Sequence, residues 1–193
     1  MSDQARASQS LVLRISKAPK LADARAARSK LADLDACEDL QALLADAPAL
    51  RDLLLGIADH SAFLWRLIRQ DPQRLLMLLA LSPDHALDRV LRMLRDECDA
   101  AASEADAMKA LRMAKQAAAL LIALADLGGV WDVAEVTLAL SQFADAAVSG
   151  ALRYLLRAAA REGKLVLRDA QDPEAGCGVV VIAMGKHGAF ELN

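Results

Sequence analysis

The chain has 193 residues, enough for one large domain or for one domain and the beginning of a second. Hydrophobic residues make up 55% of it and aromatic residues only 3%, and Ala and Leu supply much of the apolar content. Since both are strong helix formers, this composition predicts a helical protein. A net charge of −3 gives no bulk electrostatic case for binding nucleic acid or an anionic membrane.

The cysteines and the N-terminus indicate a cellular setting. Cys37, Cys98 and Cys177 lie far apart and have no metal-ligand spacing. The N-terminus also lacks an apolar signal core, so we expect a reduced, cytoplasmic protein. No stretch reaches the roughly 18 uncharged apolar residues of a membrane span, and we therefore expect no membrane association.

Residues 1–34 are polar, rich in Ala and interrupted by Pro19, which predicts a mobile arm. Residues 35–163 have helical periodicity and predict a bundle-like helical domain. Asp35 with Glu38, and Asp132 with Glu135, have the spacing of capping boxes. Further predicted helix starts are Pro48, Ser61, Pro72 and Pro83, and the predicted stops are Gly128-Gly129 and Gly163. Gly150, inside the longest predicted helix, is expected to allow close helix packing.

From residue 164 the pattern changes to that of an α/β domain. Residues 164–167 are predicted as a short strand and residues 168–177 as a loop. Residues 179–184, Val-Val-Val-Ile-Ala-Met, are mostly β-branched and uncharged, which predicts a central strand. A turn and a helix start follow, so we expect residues 164–193 to begin a second domain.

The turn Gly185-Lys186-His187-Gly188 is the main candidate for chemistry, because a backbone nest and a helix N-terminus could hold a phosphate there. It is not a Walker motif, since Val180 and His187 occupy the required Gly and Ser/Thr positions. It also lacks the three-glycine spacing of a dinucleotide fingerprint. An ordinary strand-to-helix turn would use the same glycines for positive φ.

Other polar residues are weaker candidates. Asp33 and Asp35 alternate as metal-binding carboxylates can, but helix capping is the favoured interpretation. The histidines at positions 60, 85 and 187 are interpreted as structural or turn residues. Two arginine stripes, each on one helix face, are either solvated or form a docking surface for an acidic partner: Arg89, Arg92 and Arg95, and Arg153, Arg157 and Arg161.

Residues 179–193 closely resemble the bacterial glutamine synthetase adenylyltransferase/adenylyl-removing family. In that family a strand leads into Gly-Met-Gly-Lys-Leu-Gly-Gly-x-Glu-Leu-Asn, followed by Ser-Asp-x-Asp. Segments 61–72, 111–115, 125–128 and 140–145 are similar to its helical region, so the resemblance covers about residues 40–193. His187, Ala189 and Phe190 depart from the family pattern, whereas Gly185, Lys186 and Gly188 match it.

The resemblance implies a mainly α chain that leads into the first strand and helix of a truncated α/β nucleotidyltransferase-like domain. One such domain of the family removes AMP from a tyrosine of glutamine synthetase by phosphorolysis, releasing ADP, and a second attaches AMP from ATP. The ending of this chain is more similar to the removing domain. Phosphate or nucleotide contacts are thereby implied at Gly185, Lys186 and Gly188.

The family's partners are implied to be glutamine synthetase and a PII-type signal protein, and Mg²⁺ is implied for the full-length enzyme. The family's metal-binding aspartates follow the glycine motif. We therefore expect this chain to contain no catalytic residue, to bind no metal and to be inactive alone. The alternative prediction is a non-catalytic helical module for protein interaction.

Overall fold

The computed structural model describes residues 8–193, and this part of the chain is mainly helical, as predicted. Residues 1–7 of the predicted arm lie outside the described residues. The helices are α1 (Leu11–Arg14), α2 (Ala24–Leu31), α3 (Glu38–Asp46), α4 (Pro48–His60), α5 (Ala62–Gln70), α6 (Pro72–Ala80), α7 (Pro83–Ala100), α8 (Glu104–Leu127), α9 (Val133–Arg161) and α10 (Gly185–Gly188), with a 3₁₀ turn at Ala32–Leu34. None of the described helices has the length and apolar character needed to cross a membrane.

Most predicted helix starts are confirmed. The Ser61 hydroxyl accepts a hydrogen bond from the Leu64 N–H at 3.3 Å and begins α5. At α9 the capping box is reciprocal. The Asp132 N–H donates to Glu135 Oε2 at 2.7 Å, and the Glu135 N–H donates to Asp132 Oδ1 at 2.9 Å. These bonds satisfy amides that have no partner inside the helix.

The capping box predicted at Asp35 is wrong. Helix α3 begins at Glu38, and its N-cap is Cys37, which makes no side-chain capping bond. Asp35 instead follows the 3₁₀ turn, and its N–H donates to the Ala32 carbonyl at 3.1 Å. The turn places the carboxylate of Asp35 outside the position from which it could cap α3.

The described residues fall into two compact units. The first comprises the chain up to Leu87 together with Ala119–Val136, and the second comprises Asp88–Ala118 and Thr137–Asn193. In the first unit, α2 and α5 each pack against α4. Its fully buried core includes Leu40, Leu50, Leu53, Leu54, Ile57, Leu67, Ile68, Leu75, Leu78 and Leu79.

Residues 8–34 are integrated into the first unit rather than separate from it. Leu11 is fully buried, and its N–H donates to the Leu81 carbonyl at 2.7 Å. Pro19 packs so closely on α4 that a Cβ at Gly56 would lie 2.7 Å from Pro19 Cδ. The arm was predicted from polarity, but a few apolar side chains and backbone bonds suffice to dock a short segment.

In the second unit, α7 and α9 approach closely at Gly150, as expected. A Cβ at Gly150 would lie 3.1 Å from Cys98 Sγ. Nearby, Ala101 and Ala107 form a small buried cluster with Tyr154. The lack of a side chain at Gly150 therefore allows the two helices to pack at this distance.

The strands predicted at 164–167 and 179–184 are absent from the described residues, which contain no strand. Val180 is 82% exposed and Ile182 is 77% exposed, although their sequence is typical of a buried strand. A strand requires ladder hydrogen bonds to a second strand, and the described residues provide none. β-Branched composition alone therefore does not create a strand here.

Candidate functional site

The glycine turn forms a single helical turn, α10, and glycine is required at its two positions for different structural reasons. Gly185 has φ +61°, in the left-handed region that favours glycine. Gly188 has no such angle, but a Cβ there would lie 2.6 Å from the Ala183 carbonyl oxygen. Both positions thus depend on the absence of a side chain.

Lys186 is exposed beside these glycines, so the structure brings the three predicted phosphate contacts together. Its Nζ donates to the Oδ1 of Asn193 at 2.7 Å, and its carbonyl accepts from the Glu191 N–H at 2.8 Å. The Glu-Leu-Asn ending therefore folds back over the turn. The partner of the lysine ammonium is a neutral amide, which leaves its positive charge uncompensated in this contact.

His187, interpreted from the sequence as a turn residue without a role, makes a specific contact. Its Nε2 lies 2.8 Å from Asp145 Oδ1 on α9. The side chain of His187 is 23% exposed and that of Asp145 is 52% exposed. The contact is a hydrogen bond when Nε2 carries the proton, and an ion pair when the ring is charged.

The carboxylates near the turn do not form a metal-binding set. Among residues 8–193, no three or more His, Cys, Asp or Glu side chains are grouped closely enough to hold a metal ion. Asp145 contacts His187. In the first unit, the predicted candidate Asp33 lies 3.4 Å from Arg69 Nη1. The residues described here therefore do not fit a magnesium ion.

The second arginine stripe is divided: Arg153 and Arg157 make internal contacts, and Arg161 is exposed. Arg153 is only 2% exposed. It donates to Asp99 Oδ1 and Oδ2 at 2.9 and 2.7 Å, and to Asp172 Oδ1 at 2.9 Å. Arg157 also donates to Asp99, and Arg161 lies over the ring of Tyr154 at 5.8 Å. Arg153 and Arg157 therefore belong to an internal network.

This network changes the ionisation of its members. Burial raises the pKa of the Asp99 carboxyl, but hydrogen bonds from Arg153 and Arg157 outweigh burial and hold that pKa below its usual value. The hydrogen bond to Asp99 in turn raises the pKa of Arg153. Burial, followed by the charges of Asp99 and Glu97, raises the pKa of the Cys98 thiol. Asp99 is therefore ionised and Cys98 is neutral near pH 7.

The acidic partners of Arg153 were missed by sequence reasoning. Asp172 and Glu174 lie in a segment that reads as an ordinary turn, and Asp99 lies near the end of α7. No local spacing relates these residues to Arg153. The other stripe, Arg89, Arg92 and Arg95, is exposed on α7.

The sequence model of the glutamate-ammonia ligase adenylyltransferase family matches residues 50–193. The chain belongs to this family. It is 48% identical to a bifunctional glutamine synthetase adenylyltransferase/adenylyl-removing enzyme of Xanthobacter autotrophicus, and the match covers 95% of this chain. It is 46% identical to the enzyme of the same description in Bradyrhizobium diazoefficiens, over 96% of this chain.

The chain spans 19% of the length of each of these relatives. No solved structure gave a significant match. The family match ends at Asn193 and thus includes the glycine turn, which connects the family assignment to the geometry described above.

Proposed function

We propose that the chain forms the N-terminal part of an enzyme that regulates glutamine synthetase. The enzyme removes AMP from an adenylylated tyrosine by phosphorolysis and, through a second region, adds AMP from ATP. The observation that carries this proposal is the family match over residues 50–193, together with the descriptions of the relatives. We also propose that the full-length enzyme has a PII-type signal protein as a partner, uses Mg²⁺ and lies in the cytoplasm. Its nucleotidyltransferase-like domain is proposed to begin near residue 164.

Within this function we assign phosphate or nucleotide binding to Gly185, Lys186 and Gly188. At Gly185 no atom lies within 4 Å of where a Cβ would stand, so the backbone there is open to close approach by a ligand, whereas Gly188 allows the turn to pack against the Ala183 carbonyl. The Lys186 ammonium is exposed on a flexible stem and contacts only an amide oxygen among the contacts described above. A phosphate oxygen would be a stronger, charge-assisted acceptor than that amide. We therefore expect Lys186 to exchange Asn193 for phosphate when the ligand binds.

The proposal is tested with a chimera in which this chain replaces the aligned segment of the Xanthobacter autotrophicus relative. The assay measures phosphate-dependent release of ADP from adenylylated glutamine synthetase. We expect the chimera to release ADP, and Lys186→Ala to slow release by about tenfold to a hundredfold, the value of one charge-assisted hydrogen bond. Lys164→Ala is the matched control, because Lys164 is also exposed but pairs with Glu162.

The outcomes separate the parts of the proposal. A folded chimera that releases no ADP would overturn the proposed activity for this chain. Full activity in Lys186→Ala would overturn the assignment of the lysine while leaving the activity intact.

The exposed stripe Arg89, Arg92 and Arg95 favours the second candidate, a helical module that docks an acidic protein surface. Replacing the three arginines by glutamate distinguishes the two functions. Under the docking hypothesis this change weakens binding of the 193-residue chain to glutamine synthetase, and Lys186→Ala does not. Equal binding by both variants and the unmodified chain would exclude the stripe as a docking surface.

A further inference from the structure

Helix α9 carries a row of polar residues, and each member contacts the C-terminal segment of the chain. The row has a spacing of four, so each member is a surface neighbour of the next and the row winds gradually around the helix. We call these residues the polar ladder: Ser141, Asp145, Ser149, Arg153 and Arg157.

The first three members contact residues between 174 and 192. Ser141 Oγ accepts from the Leu192 N–H in a long contact of 3.5 Å, while its own hydroxyl donates to the Thr137 carbonyl at 2.8 Å. Asp145 contacts His187 as described above. Ser149 Oγ donates to the carboxylate of Glu174, at 2.9 Å from Oε2 and 3.0 Å from Oε1.

The last two members contact residues 170–172. Arg153 donates to Asp172 and to the Gln171 carbonyl, the latter at 3.0 Å. Arg157 Nη2 lies 3.4 Å from the Ala170 carbonyl. Since the contacted residue number falls as the α9 number rises, residues 170–192 run antiparallel to the helix.

Apolar burial does not account for the position of the middle of this segment. Val180, Ile182 and Met184 are 77–82% exposed. The ladder contacts lie on either side of these exposed residues, at 170–174 and at 187–192. The polar contacts thus fix both ends of a stretch that has little buried surface of its own.

We propose that the polar ladder is a positioning device that sets the location of the glycine turn on α9. Asp145 and Ser141 are its positioning residues at the turn, because they contact His187 within it and Leu192 just after it. Ser149 and Arg153 fix the segment that leads into it. The importance of the turn rests on the proposed function, but the ladder itself rests only on these contacts.

Hydrogen exchange of backbone amides in the 193-residue chain tests the ladder. Asp145→Ala removes one contact at a side chain that is 52% exposed, so the helix remains intact. We expect exchange in residues 186–192 to accelerate about fivefold, the effect of one lost hydrogen bond. Exchange in residues 62–80 of the first unit is expected to stay unchanged. Gln142→Ala, on the same helix but outside the ladder, is the control and is expected to change neither.

Conservative variants distinguish positioning from general stabilisation. Asp145→Asn keeps a side-chain acceptor for His187, and Ser141→Thr keeps the hydroxyl, so both are expected to show the exchange rate of the unmodified chain in residues 186–192. A fold-wide effect would instead change exchange in all segments. The Leu192 amide resonance provides a second readout, which Ser141→Ala is expected to shift and Ser141→Thr to leave near its original position.

Unchanged exchange in Asp145→Ala, or equal acceleration in Gln142→Ala, would overturn the ladder. Either result would leave the ADP-release assay of the chimera unaffected. Conversely, loss of protection in Asp145→Ala with no ADP release from the chimera would support the ladder and reject the proposed activity.

Discussion

Replacing Arg153 by methionine is expected to destabilise the second unit more than any replacement of an exposed arginine. Methionine keeps much of the apolar stem but removes every hydrogen bond to Asp99, Asp172 and Gln171. Removing one partner of a buried ion pair typically costs about 3–5 kcal/mol. Here the side chains of Asp99 and Asp172 are 25% and 52% exposed, so water can solvate the remaining carboxylates. We therefore expect a smaller loss, about 2–3 kcal/mol.

Urea unfolding followed by circular dichroism measures this loss. Thermal unfolding gives a second measurement. Since a loss of 1 kcal/mol lowers the unfolding midpoint by about 2–4 °C in a chain of this size, we expect the midpoint to fall by roughly 4–12 °C. Arg92→Met, on the exposed face of α7, is the control and is expected to change stability by less than about 0.5 kcal/mol. The double variant with Asp99→Asn should show a coupling energy, because the two residues share hydrogen bonds. Equal stability of the Arg153 and Arg92 variants would refute this reasoning.

Three further predictions concern the same unit. The pKa of the Asp99 carboxyl is lowered in the folded protein, so the ionised carboxylate adds stability at pH values above its unfolded pKa of about 3.9. This stability is lost as the pH falls through the folded pKa. In urea unfolding measured from about pH 5 to 2, Asp99→Asn should therefore lose less stability than the unmodified chain. An equal loss of stability in the variant and the unmodified chain would contradict the predicted direction. In a Cys98→Ala background, which lacks the sulfur that a Cβ at position 150 would meet, Gly150→Ala should gain up to about 1 kcal/mol of stability. The same substitution in the unmodified chain should give no such gain, and an equal gain in both backgrounds would exclude the close contact. Buried, neutral Cys98 should react with a thiol reagent more slowly than Cys37 and Cys177, and three equal rates would contradict its burial.

The sequence predicted helix starts well where the signal is local. Pro48, Ser61 and Asp132 mark starts because a fixed φ or a capping oxygen acts within one turn of the backbone. Asp35 has the same local spacing as Asp132 but does not cap, since the chain before α3 turns in a 3₁₀ conformation. Spacing identifies residues that can cap, and the preceding backbone decides whether they do.

Features that depend on distant residues were not predictable in this way. The strand at 179–184 has suitable composition but requires a partner strand for its hydrogen bonds. The pairing of Arg153 with Asp99 joins residues that are 54 positions apart. Helical spacing placed Arg153 on a stripe, but only the tertiary structure shows that this side chain is buried.

The candidate site was predicted in part. The sequence motif singled out Gly185, Lys186 and Gly188. The alternative of an ordinary strand-to-helix turn predicted positive φ at both glycines, which the structure shows at Gly185 alone. Sequence reasoning assigned no role to His187, because its partner Asp145 lies 42 residues away. The binding of phosphate at this turn stays a prediction.

The ADP-release assay on the chimera tests most directly whether this chain contributes to AMP removal from glutamine synthetase. We expect phosphate-dependent release by the chimera, a rate about tenfold to a hundredfold lower in Lys186→Ala, and an unchanged rate in Lys164→Ala. A folded chimera that releases no ADP from adenylylated glutamine synthetase would contradict the proposed role in AMP removal.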